Sequence, residues 1–383
     1  MDWSFLIRNK ESLCVTTDSR KVTPGCIFVA LKGEHFDGNQ FVEQARKDGA
    51  EYIISGDNAL TELQDLARAW RRELGLPILA ITGTNGKTTT KELCAAVLAT
   101  KYNLYYTQGN LNNQLGVPLT LLSITRAHEM AIVEMGASHP GDIKELVEIA
   151  EPNYGLITNV GRAHLQGFGS FEGVQRTKAE LYDYLREHGG FCFRNTDNPY
   201  LEQMAGNLPT VAYQTGTMPE GTHLVGAYNS ENVQAALCVG KYFGVSEEKA
   251  LEAIRAYVPS NNRSQLMQTE RNTVVVDAYN ANPTSMQAAI NAFKGDTYIL
   301  GGMRELGEYS HLEHQNIVNM LAERKAETVL LVGDEYNQTT APYPIFADVE
   351  ALCAYLQAHP LTAKNILLKG SRGNQLEKAI PYL

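Results

Sequence analysis

The chain has 383 residues, of which 44% are apolar and 20% are charged. This length and composition predict two or three domains with substantial cores and exclude a largely disordered chain. The formal net charge of −10 argues against a broad nucleic-acid-binding surface, which needs a basic patch. The negative net charge does not exclude small anionic ligands, which lysines and backbone amides can hold locally.

The cysteines and the N-terminus bear on the compartment. None of the six cysteines forms a Cys-x-x-Cys pair, and their scatter predicts free thiols in a reducing compartment; they are Cys14, Cys26, Cys94, Cys192, Cys238 and Cys353. The N-terminal segment does not resemble a signal peptide, and no apolar run approaches the ~20 residues that span a bilayer. We expect a cytoplasmic protein without a transmembrane segment.

Residues 1–75 form the first predicted domain. Short β-rich runs lie at Ser12–Thr17, Cys26–Leu31 and Glu51–Ser55, and helical patterns lie at Asn39–Asp48 and Leu60–Leu74. The second helical pattern places Leu63, Leu66 and Trp70 on one face, as in an amphipathic helix. Gly75 and Pro77 then end it.

Residues 76–258 form the second predicted domain, in which each apolar run is followed by a glycine. Strands are predicted at Ile78–Ile81, Met130–Glu134 and Gly155–Asn159, and helices at Thr88–Leu98 and Gly173–Glu187. Strands that alternate with helices indicate a parallel α/β sheet, whose ligands bind at the carboxyl ends of the strands. The turn-rich segment Gln214–Gly221 is predicted to be a loop.

Residues 259–383 form the third predicted domain, a second doubly wound α/β unit. Its strands are predicted at Thr273–Asp277, Thr297–Leu300, Thr328–Val332 and Asn365–Lys369. Helices are predicted between them, at Ser285–Phe293, Glu313–Lys325 and Val349–Ala358. The predicted fold class is therefore α/β with three domains, of which the last resembles a Rossmann fold.

A glycine-rich turn after the strand Ile78–Ile81 carries the strongest motif. It reads Gly83, Thr84, Asn85, Gly86, Lys87, Thr88 and Thr89. Glycines let backbone N–H groups approach phosphate oxygens, and the following helix directs its positive dipole end toward them. Lys87 can contact the β- and γ-phosphates of ATP, and the Thr88 hydroxyl can bind Mg²⁺. Ile81 stands where the longer form of the motif has glycine, so this is a variant.

Three polar residues follow later in this domain. Glu134 ends a predicted strand, where a carboxylate is placed to bind a hard cation such as Mg²⁺. His164 follows another strand, and its chemistry alone fits a structural histidine as well as a ligand. Lys178 lies in a polar helical stretch, where the simplest interpretation is a surface ion pair of little energetic value.

The third domain has a polar turn, Asp277–Met286, directly after its first predicted strand. Asp277 could accept hydrogen bonds from ribose hydroxyls, and Tyr279 could flank a base or ribose. Pro283 suits the first turn of the next helix.

Together these motifs resemble the Mur ligase family along essentially the whole chain. The resemblance implies that Gly83–Thr89 binds ATP, that Glu134 and Thr88 bind one Mg²⁺, and that His164 and Lys178 bind a second. In the family this lysine is carried as a carbamate, so carbamylated Lys178 is expected. The nucleotide contacts that the resemblance implies in the third domain are Arg263, Asp277, Tyr279, Asn280 and Asn282.

Further segments resemble those of the members that add D-alanyl-D-alanine to a UDP-N-acetylmuramoyl-tripeptide. They are Gly109–Pro118, the Asp277–Met286 run, and Lys369–Arg372, which resembles a motif near the incoming dipeptide. The resemblance implies that residues 1–75 bind the UDP-muramoyl substrate, residues 76–258 bind ATP, and the chain is a monomer. The implied substrate contacts are Ser19, Arg20, Asp37, Gly38, Asn110, Asn112, Asn113, Lys369, Ser371 and Arg372.

Two departures from the family pattern keep alternatives open. Gly302 stands where these members usually have aspartate, and the segment between Tyr213 and Leu224 is short. The alternatives are a sister ligase that adds a different amino acid, a P-loop kinase or NTPase, and an ATP-binding pseudoenzyme. The third residue of the tripeptide, diaminopimelate or lysine, cannot be read from the sequence.

Overall fold

The computed structural model describes residues 2–226, 228–259, 262–340 and 342–383. Within these ranges the chain forms three β-sheets in sequence order, and helices pack against them. This architecture confirms the predicted α/β fold with three domains. No helix in the described ranges is both long enough and apolar enough to cross a lipid bilayer.

The N-terminal domain is built on a three-stranded parallel sheet with the strand order β1-β2-β3. Its elements are α1 (Ser4–Ile7), β1 (Val15–Thr16), β2 (Ile27–Val29), α2 (Val42–Lys47), β3 (Tyr52–Ile54) and α3 (Ala59–Leu74). Short 3-10 helices at Ser19–Lys21 and Gly38–Phe41 follow Asp18 and Asp37, whose carboxylates accept from backbone N–H groups two residues on. Such local hydrogen bonds are why aspartate favours turns.

The central domain has a six-stranded, all-parallel sheet with the order β5-β6-β4-β7-β8-β9. Its strands are β4 (Ile78–Thr82), β5 (Leu104–Tyr106), β6 (Met130–Glu134), β7 (Tyr154–Ile157), β8 (Phe191–Asn195) and β9 (Thr210–Tyr213). Its helices are α4 (Lys87–Leu98), α5 (Gly116–Leu122), α6 (Asp142–Ala150), α7 (Leu165–Phe168), α8 (Phe171–Glu187), α9 (Pro199–Ala205), α10 (Asn229–Tyr242) and α11 (Glu247–Ala256). Every residue of β4 and β6 is buried because helices cover both sheet faces. The segment 214–221 is a loop, as predicted.

Helix α3 joins the N-terminal domain to the central domain through its apolar face. Leu63, Leu66 and Trp70 are fully buried in one core that also contains Leu121 of α5 and Leu146 of α6. The Trp70 indole N–H donates to the carbonyl of Ile124 at 2.9 Å, which satisfies its polar atom inside this core. A continuous hydrophobic core therefore connects the first two domains.

The C-terminal domain has a six-stranded sheet with the order β10-β11-β15-β12-β13-β14, in which only β10 runs antiparallel to its neighbour. Its elements are β10 (Gln265–Gln268), β11 (Thr273–Asp277), α12 (Pro283–Ala292), β12 (Thr297–Gly301), α13 (Ser310–Glu323), β13 (Thr328–Val332), β14 (Ile345–Phe346), α14 (Val349–Ala358) and β15 (Asn365–Lys369). Successive strand residues, such as Ile299 and Leu300, belong to separate cores on opposite sheet faces. The sheet is thus a doubly wound core with polar strand ends.

The expectation of six free thiols is wrong for Cys14 and Cys26, which form a disulfide. They directly precede β1 and β2, and the register that pairs Val15 with Ile27 brings their Cα atoms to 4.6 Å. Their spacing along the chain gave no sign of this pairing because it depends on strand register. The other four cysteines are free, as predicted; they are Cys94, Cys192, Cys238 and Cys353.

Candidate active site

The glycine-rich turn connects β4 to α4 in a conformation that its glycines make possible. Gly83 has φ of +138°, and a Cβ atom there would lie 2.0 Å from the Thr158 hydroxyl oxygen. Gly86 has φ of +78°, and a Cβ atom there would lie 2.5 Å from the Asn232 amide oxygen. Side chains at either position would clash, so the turn requires glycine twice. The turn ends at the N-terminus of α4, which suits a phosphate group.

The segment after β7 anchors this turn, and sequence reasoning missed it. The Thr158 hydroxyl donates to the carbonyl of Asn85 at 2.6 Å, and the Asn159 amide donates to the same oxygen at 3.1 Å. The Asn85 backbone N–H donates in return to the Asn159 side chain at 3.0 Å. The sequence feature that could have indicated this anchor is the pair of polar residues, Thr158 and Asn159, directly after a buried strand. Their hydrogen bonds hold the turn in a fixed shape.

Lys87 lies at the start of α4 and folds back over the turn. Its ammonium donates to the carbonyls of Gly83 and Thr84 at 2.8 and 3.0 Å. Burial lowers the pKa of Lys87 to about 8, and the carboxylate of Glu134 opposes this shift. A phosphate in the turn would offer this poorly solvated cation a stronger partner.

Glu134 ends β6 with its side chain almost fully buried, at 1% exposure. One carboxylate oxygen accepts from the Thr88 hydroxyl at 3.2 Å and from the Asn112 amide at 2.8 Å. The other oxygen has no hydrogen-bond partner among the described residues. A buried carboxylate with one oxygen free of hydrogen bonds, in contact with a threonine hydroxyl, has the oxygen chemistry that Mg²⁺ prefers.

Lys91 is a second residue that sequence reasoning missed. It is fully buried one helical turn after Lys87, and its ammonium lies 3.6 Å from Glu134 and 3.1 Å from Glu92. It also donates to the carbonyls of Thr107 at 2.6 Å and Gly109 at 3.5 Å. Lys91 thereby ties the phosphate-loop helix to the segment that carries Asn110–Asn113.

Lys178 is buried in the same region, whereas His164 is partly exposed. The surface ion pair considered for Lys178 is wrong, because the residue is 2% exposed and its ammonium lies 5.8 Å from the centre of the Phe168 ring. Burial, followed by the charge of Lys87, lowers the pKa of Lys178 well below its usual value. Burial also lowers the pKa of His164, against the opposing charge of Glu305, whose carboxylate contacts its Nδ1 atom.

The polar ends of β11 and β15 face the phosphate loop across the cleft. The Arg263 guanidinium lies 3.8 Å from the centre of the Tyr279 ring, and the Arg372 guanidinium lies 5.6 Å from it. Asp277 accepts from the ammonium of Lys369 at 2.5 Å and from the backbone N–H of Ser264 at 3.2 Å. The predicted nucleotide and dipeptide contacts therefore belong to one connected cluster.

A cleft of about 630 Å³ lies between the central and C-terminal domains. Thr84–Thr89 line it together with most of the other predicted residues of these two domains, which are Asn110, Asn112, Asn113, Glu134, His164, Arg263, Asp277, Tyr279, Asn280 and Lys369. The buried Asn282 instead caps α12, and its amide donates to the Asn85 side chain across the cleft at 2.8 Å. Lys178, Ser371 and Arg372 are not among the residues that line the cleft.

Models of three protein domain families match successive stretches of the chain. The Mur ligase family, catalytic domain, matches residues 13–98, and the Mur ligase middle domain matches residues 81–223. The Mur ligase, glutamate ligase domain, matches residues 262–372. The chain belongs to the Mur ligase family.

Curated relatives extend the match over nearly the whole chain. It is 33% identical to the UDP-N-acetylmuramoyl-tripeptide–D-alanyl-D-alanine ligase of Bacillus subtilis, over 96% of this chain and 92% of that protein. It is 32% identical to the enzyme of that name from Escherichia coli, over 96% and 93%.

Solved structures show the same similarity. The MurF ligase of Thermotoga maritima in complex with ADP superposes with a TM-score of 0.87 at 26% identity, over 98% of both chains. MurF of Acinetobacter baumannii superposes with a TM-score of 0.85 at 28% identity, over 96% of this chain and 92% of that one.

This Mur ligase places its predicted N-terminal contacts apart from the cleft. Ser19, Arg20, Asp37 and Gly38 are not among the residues that line it. Arg20 pairs with Asp18, and Gly38 is buried so tightly that a Cβ atom would lie 2.7 Å from the Leu31 carbonyl oxygen. Any ligand that contacts these residues and the cleft together must therefore be an extended molecule.

The described residues hold no group of three or more His, Cys, Asp and Glu side chains that could bind a metal alone. The residues present nevertheless fit Mg²⁺ bound together with a nucleotide, because phosphate oxygens would supply ligands that the protein lacks. Glu134 offers a buried oxygen that accepts no hydrogen bond, although the Lys91 ammonium lies 3.6 Å from it, and its other oxygen accepts from the Thr88 hydroxyl. A carbamate on Lys178 would add a second oxygen ligand near His164.

The Glu335 carboxylate occupies the space in which a side chain at Gly302 would lie. A Cβ atom at Gly302 would lie 2.4 Å from a carboxylate oxygen of Glu335, which also pairs with Arg304 at 3.3 Å. This part of the C-terminal domain therefore keeps an acidic group although residue 302 has no side chain.

Proposed function

We propose that this Mur ligase uses ATP to join D-alanyl-D-alanine to a UDP-N-acetylmuramoyl-tripeptide, giving the UDP-muramoyl-pentapeptide, ADP and phosphate. The observation that carries the proposal is the cleft in which Lys87, Thr88 and Glu134 face Arg263 and Tyr279. The names of the relatives specify the same two substrates, and the ADP complex of a similar structure supports the nucleotide.

The reaction activates a carboxylate and then transfers its acyl group. The tripeptide carboxylate attacks the γ-phosphorus of ATP, the bond to the bridging oxygen breaks, and ADP leaves. The dipeptide amine then attacks the acyl carbon of the acyl-phosphate, phosphate leaves, and the amine proton is lost to solvent or a base. Catalysis of this kind rests on positioning and charge neutralisation, with little covalent chemistry by the protein.

The proposed roles follow from the contacts in the cleft. Lys87 and the N–H groups of the phosphate loop hold the β- and γ-phosphates, and Arg263 and Tyr279 hold the nucleoside. Glu134 and Thr88 would hold one Mg²⁺, while His164 and carbamylated Lys178 would hold a second. Bound Mg²⁺ would neutralise phosphate charge. A neutral amine is the form that reacts with carbon dioxide, and the lowered pKa of Lys178 favours it.

The remaining predicted residues receive substrate roles in this proposal. Residues 1–75 hold the UDP-muramoyl group through Ser19, Arg20, Asp37 and Gly38, residues 76–258 hold ATP, and residues 259–383 deliver the dipeptide. Asn110, Asn112 and Asn113 lie in the cleft between these regions. Ser371 and Arg372 support the dipeptide site, with Lys369 fixed by Asp277. We expect the protein to act as a monomer in the cytoplasm.

The deciding experiment measures phosphate release from ATP and Mg²⁺, with mass detection of the product. Release that requires both the UDP-muramoyl-tripeptide and D-alanyl-D-alanine, with a pentapeptide product, is expected. Release with a single amino acid in place of the dipeptide would identify a sister ligase. Release without any muramoyl peptide would identify an NTPase, and ATP binding without product would identify a pseudoenzyme.

A further inference from the structure

Glu305 reaches His164 from a different domain. It follows β12 of the C-terminal domain, whereas His164 follows β7 of the central domain, and the Glu305 carboxylate contacts the His164 Nδ1 atom. The backbone also connects the two segments, since the Gln166 N–H donates to the Glu305 carbonyl at 3.2 Å. His164 and Glu305 thus meet through both side chains and backbone.

Both residues adopt a left-handed backbone conformation. His164 has φ of +50° and Glu305 has φ of +62°, a region that residues other than glycine rarely occupy. Such a conformation costs free energy that the surrounding structure must offset. Strained residues cluster at functional sites, and here two of them face each other across a domain boundary.

Other contacts at this boundary form only when the two domains are together. The Arg162 guanidinium pairs with the buried Glu313 at 3.2 Å, and the Arg162 backbone N–H donates to the Thr284 hydroxyl oxygen at 3.0 Å. Tyr309 packs against the small cluster that contains Leu165 and Phe168. Glu305 therefore contacts His164 at a boundary that exists only where the central and C-terminal domains meet.

The geometry of the contact determines which ring nitrogen of His164 is left for a ligand. A carboxylate on Nδ1 stabilises the tautomer with a proton on that atom, and the lone pair then lies on Nε2. Histidines that bind metals commonly donate their other N–H to such a carboxylate, which fixes the orientation of the ring and raises its basicity. Glu305 stands in the place of that carboxylate.

We propose that Glu305 is a positioning residue that orients His164 for metal binding, and that domain closure thereby completes the second Mg²⁺ site. This inference rests on the proposed function only for the identity of the site at His164. It assigns Glu305 a role that the sequence motifs did not suggest. It also explains why a carboxylate from the C-terminal domain lies beside a residue of the ATP-binding domain.

Mn²⁺ binding tests the inference without requiring turnover. Binding is measured by electron paramagnetic resonance with a nonhydrolysable ATP analogue and UDP-muramoyl-tripeptide present. We expect two ions in the unmodified protein, and Glu305→Ala to bind the second about 10- to 100-fold more weakly while the first is unchanged. Glu305→Gln, which keeps an acceptor oxygen, should give an intermediate loss. Half of the Glu305 side chain is exposed, so neither change should unfold the protein.

Two control variants separate positioning from other effects. Glu308→Ala removes an exposed carboxylate from the same loop and should bind both ions normally. Arg162→Ala breaks a different contact of the same boundary, and a loss of Mn²⁺ there that Glu305→Ala does not share would attribute the effect to closure alone and overturn the role of Glu305. A single ion in the unmodified protein, or normal affinity in Glu305→Ala, would also overturn it. Product formation by the unmodified protein, measured separately, tests the proposed function itself.

Discussion

At the scale of single residues, burial changes the chemistry of lysine. Lys178 gave no functional signal in its own sequence context, where a surface ion pair was the simplest interpretation. The structure buries it near Lys87, and both burial and that charge lower its pKa. Only the resemblance to a family predicted a special role, because burial depends on how α8 packs and cannot be read from its neighbours in sequence.

If Lys178 acts as a carbamate, a small carboxylate should replace part of its function. Lys178→Ala is expected to lower the rate of pentapeptide formation at least 10- to 100-fold, about the effect of disturbing a metal site. Formate or acetate in the assay should restore part of that rate, because either can supply the missing oxygen ligands. Arg176→Ala, an exposed position of the same helix, is the control and should respond to neither. Normal rates in Lys178→Ala would remove the carbamate role.

The lowered pKa of Lys87 makes nucleotide binding depend on pH. In the free protein Lys87 loses its proton at about pH 8, whereas bound phosphates favour the charged form and raise its pKa. Below pH 8 the proton is already present and affinity is flat. Above pH 8 binding must take up a proton, so affinity for ATP should fall about tenfold per pH unit.

Calorimetry at pH 9 in buffers of different ionisation enthalpy should show uptake of nearly one proton. Lys87→Met should bind ATP weakly without this pH dependence, and release of a proton by the unmodified protein would contradict the assignment.

At the scale of elements, α4 links two parts of the site through Lys91. Removing one partner of a buried ion pair leaves the other charge uncompensated, which costs about 3–5 kcal/mol. Lys91→Met should therefore lower the free energy of unfolding by an amount of that order, measured by denaturant titration. Lys91→Met with Glu134→Gln should recover much of the loss, because the uncompensated carboxylate is gone. Equal stability of Lys91→Met and the unmodified protein would mean that Thr88 and Asn112 alone satisfy Glu134.

The elements that the sequence predicted best are the buried strands of the parallel sheets. Strands at Met130–Glu134, Thr273–Asp277, Thr328–Val332 and Asn365–Lys369 have the bounds predicted for them, because a continuous apolar run ends there in a polar residue or glycine. The internal strand β8 was missed, and so were the edge strands β5, β9, β10 and β14. The edge strands are short and only partly buried, so their side chains carry a weak pattern.

At the scale of the whole molecule, the sequence predicted three α/β units but not how they meet. Asn85 pairs with Asn282, Arg162 with Glu313, and His164 with Glu305, all more than 140 residues apart in sequence. The phosphate loop and the strand-end Glu134 could be predicted because local sequence determines strand, turn and helix. The partners of these residues across the cleft depend on domain packing, which no local pattern encodes.

The shared core of the first two domains makes a prediction about the whole chain. Both tryptophans, Trp3 and Trp70, lie in the N-terminal domain and are buried in the core that continues into the central domain. Tryptophan fluorescence should therefore report unfolding of both domains together. Although the nucleotide binds to the central domain, MgADP at 100 times its dissociation constant should stabilise the fluorescence-detected transition by about 2.7 kcal/mol.

The buried Arg71 provides the variant that tests this coupling. Its guanidinium donates to the carbonyls of Ala150 and Glu151 at 3.0 and 2.9 Å and so fastens α3 to the end of α6. Arg71→Met leaves these carbonyls without a partner and should weaken the coupling, so MgADP should raise the fluorescence midpoint less than in the unmodified protein. If MgADP shifts the circular dichroism midpoint of the unmodified protein but not its fluorescence midpoint, the N-terminal domain unfolds independently. The shared apolar core would then contribute too little free energy to make the two domains one cooperative unit.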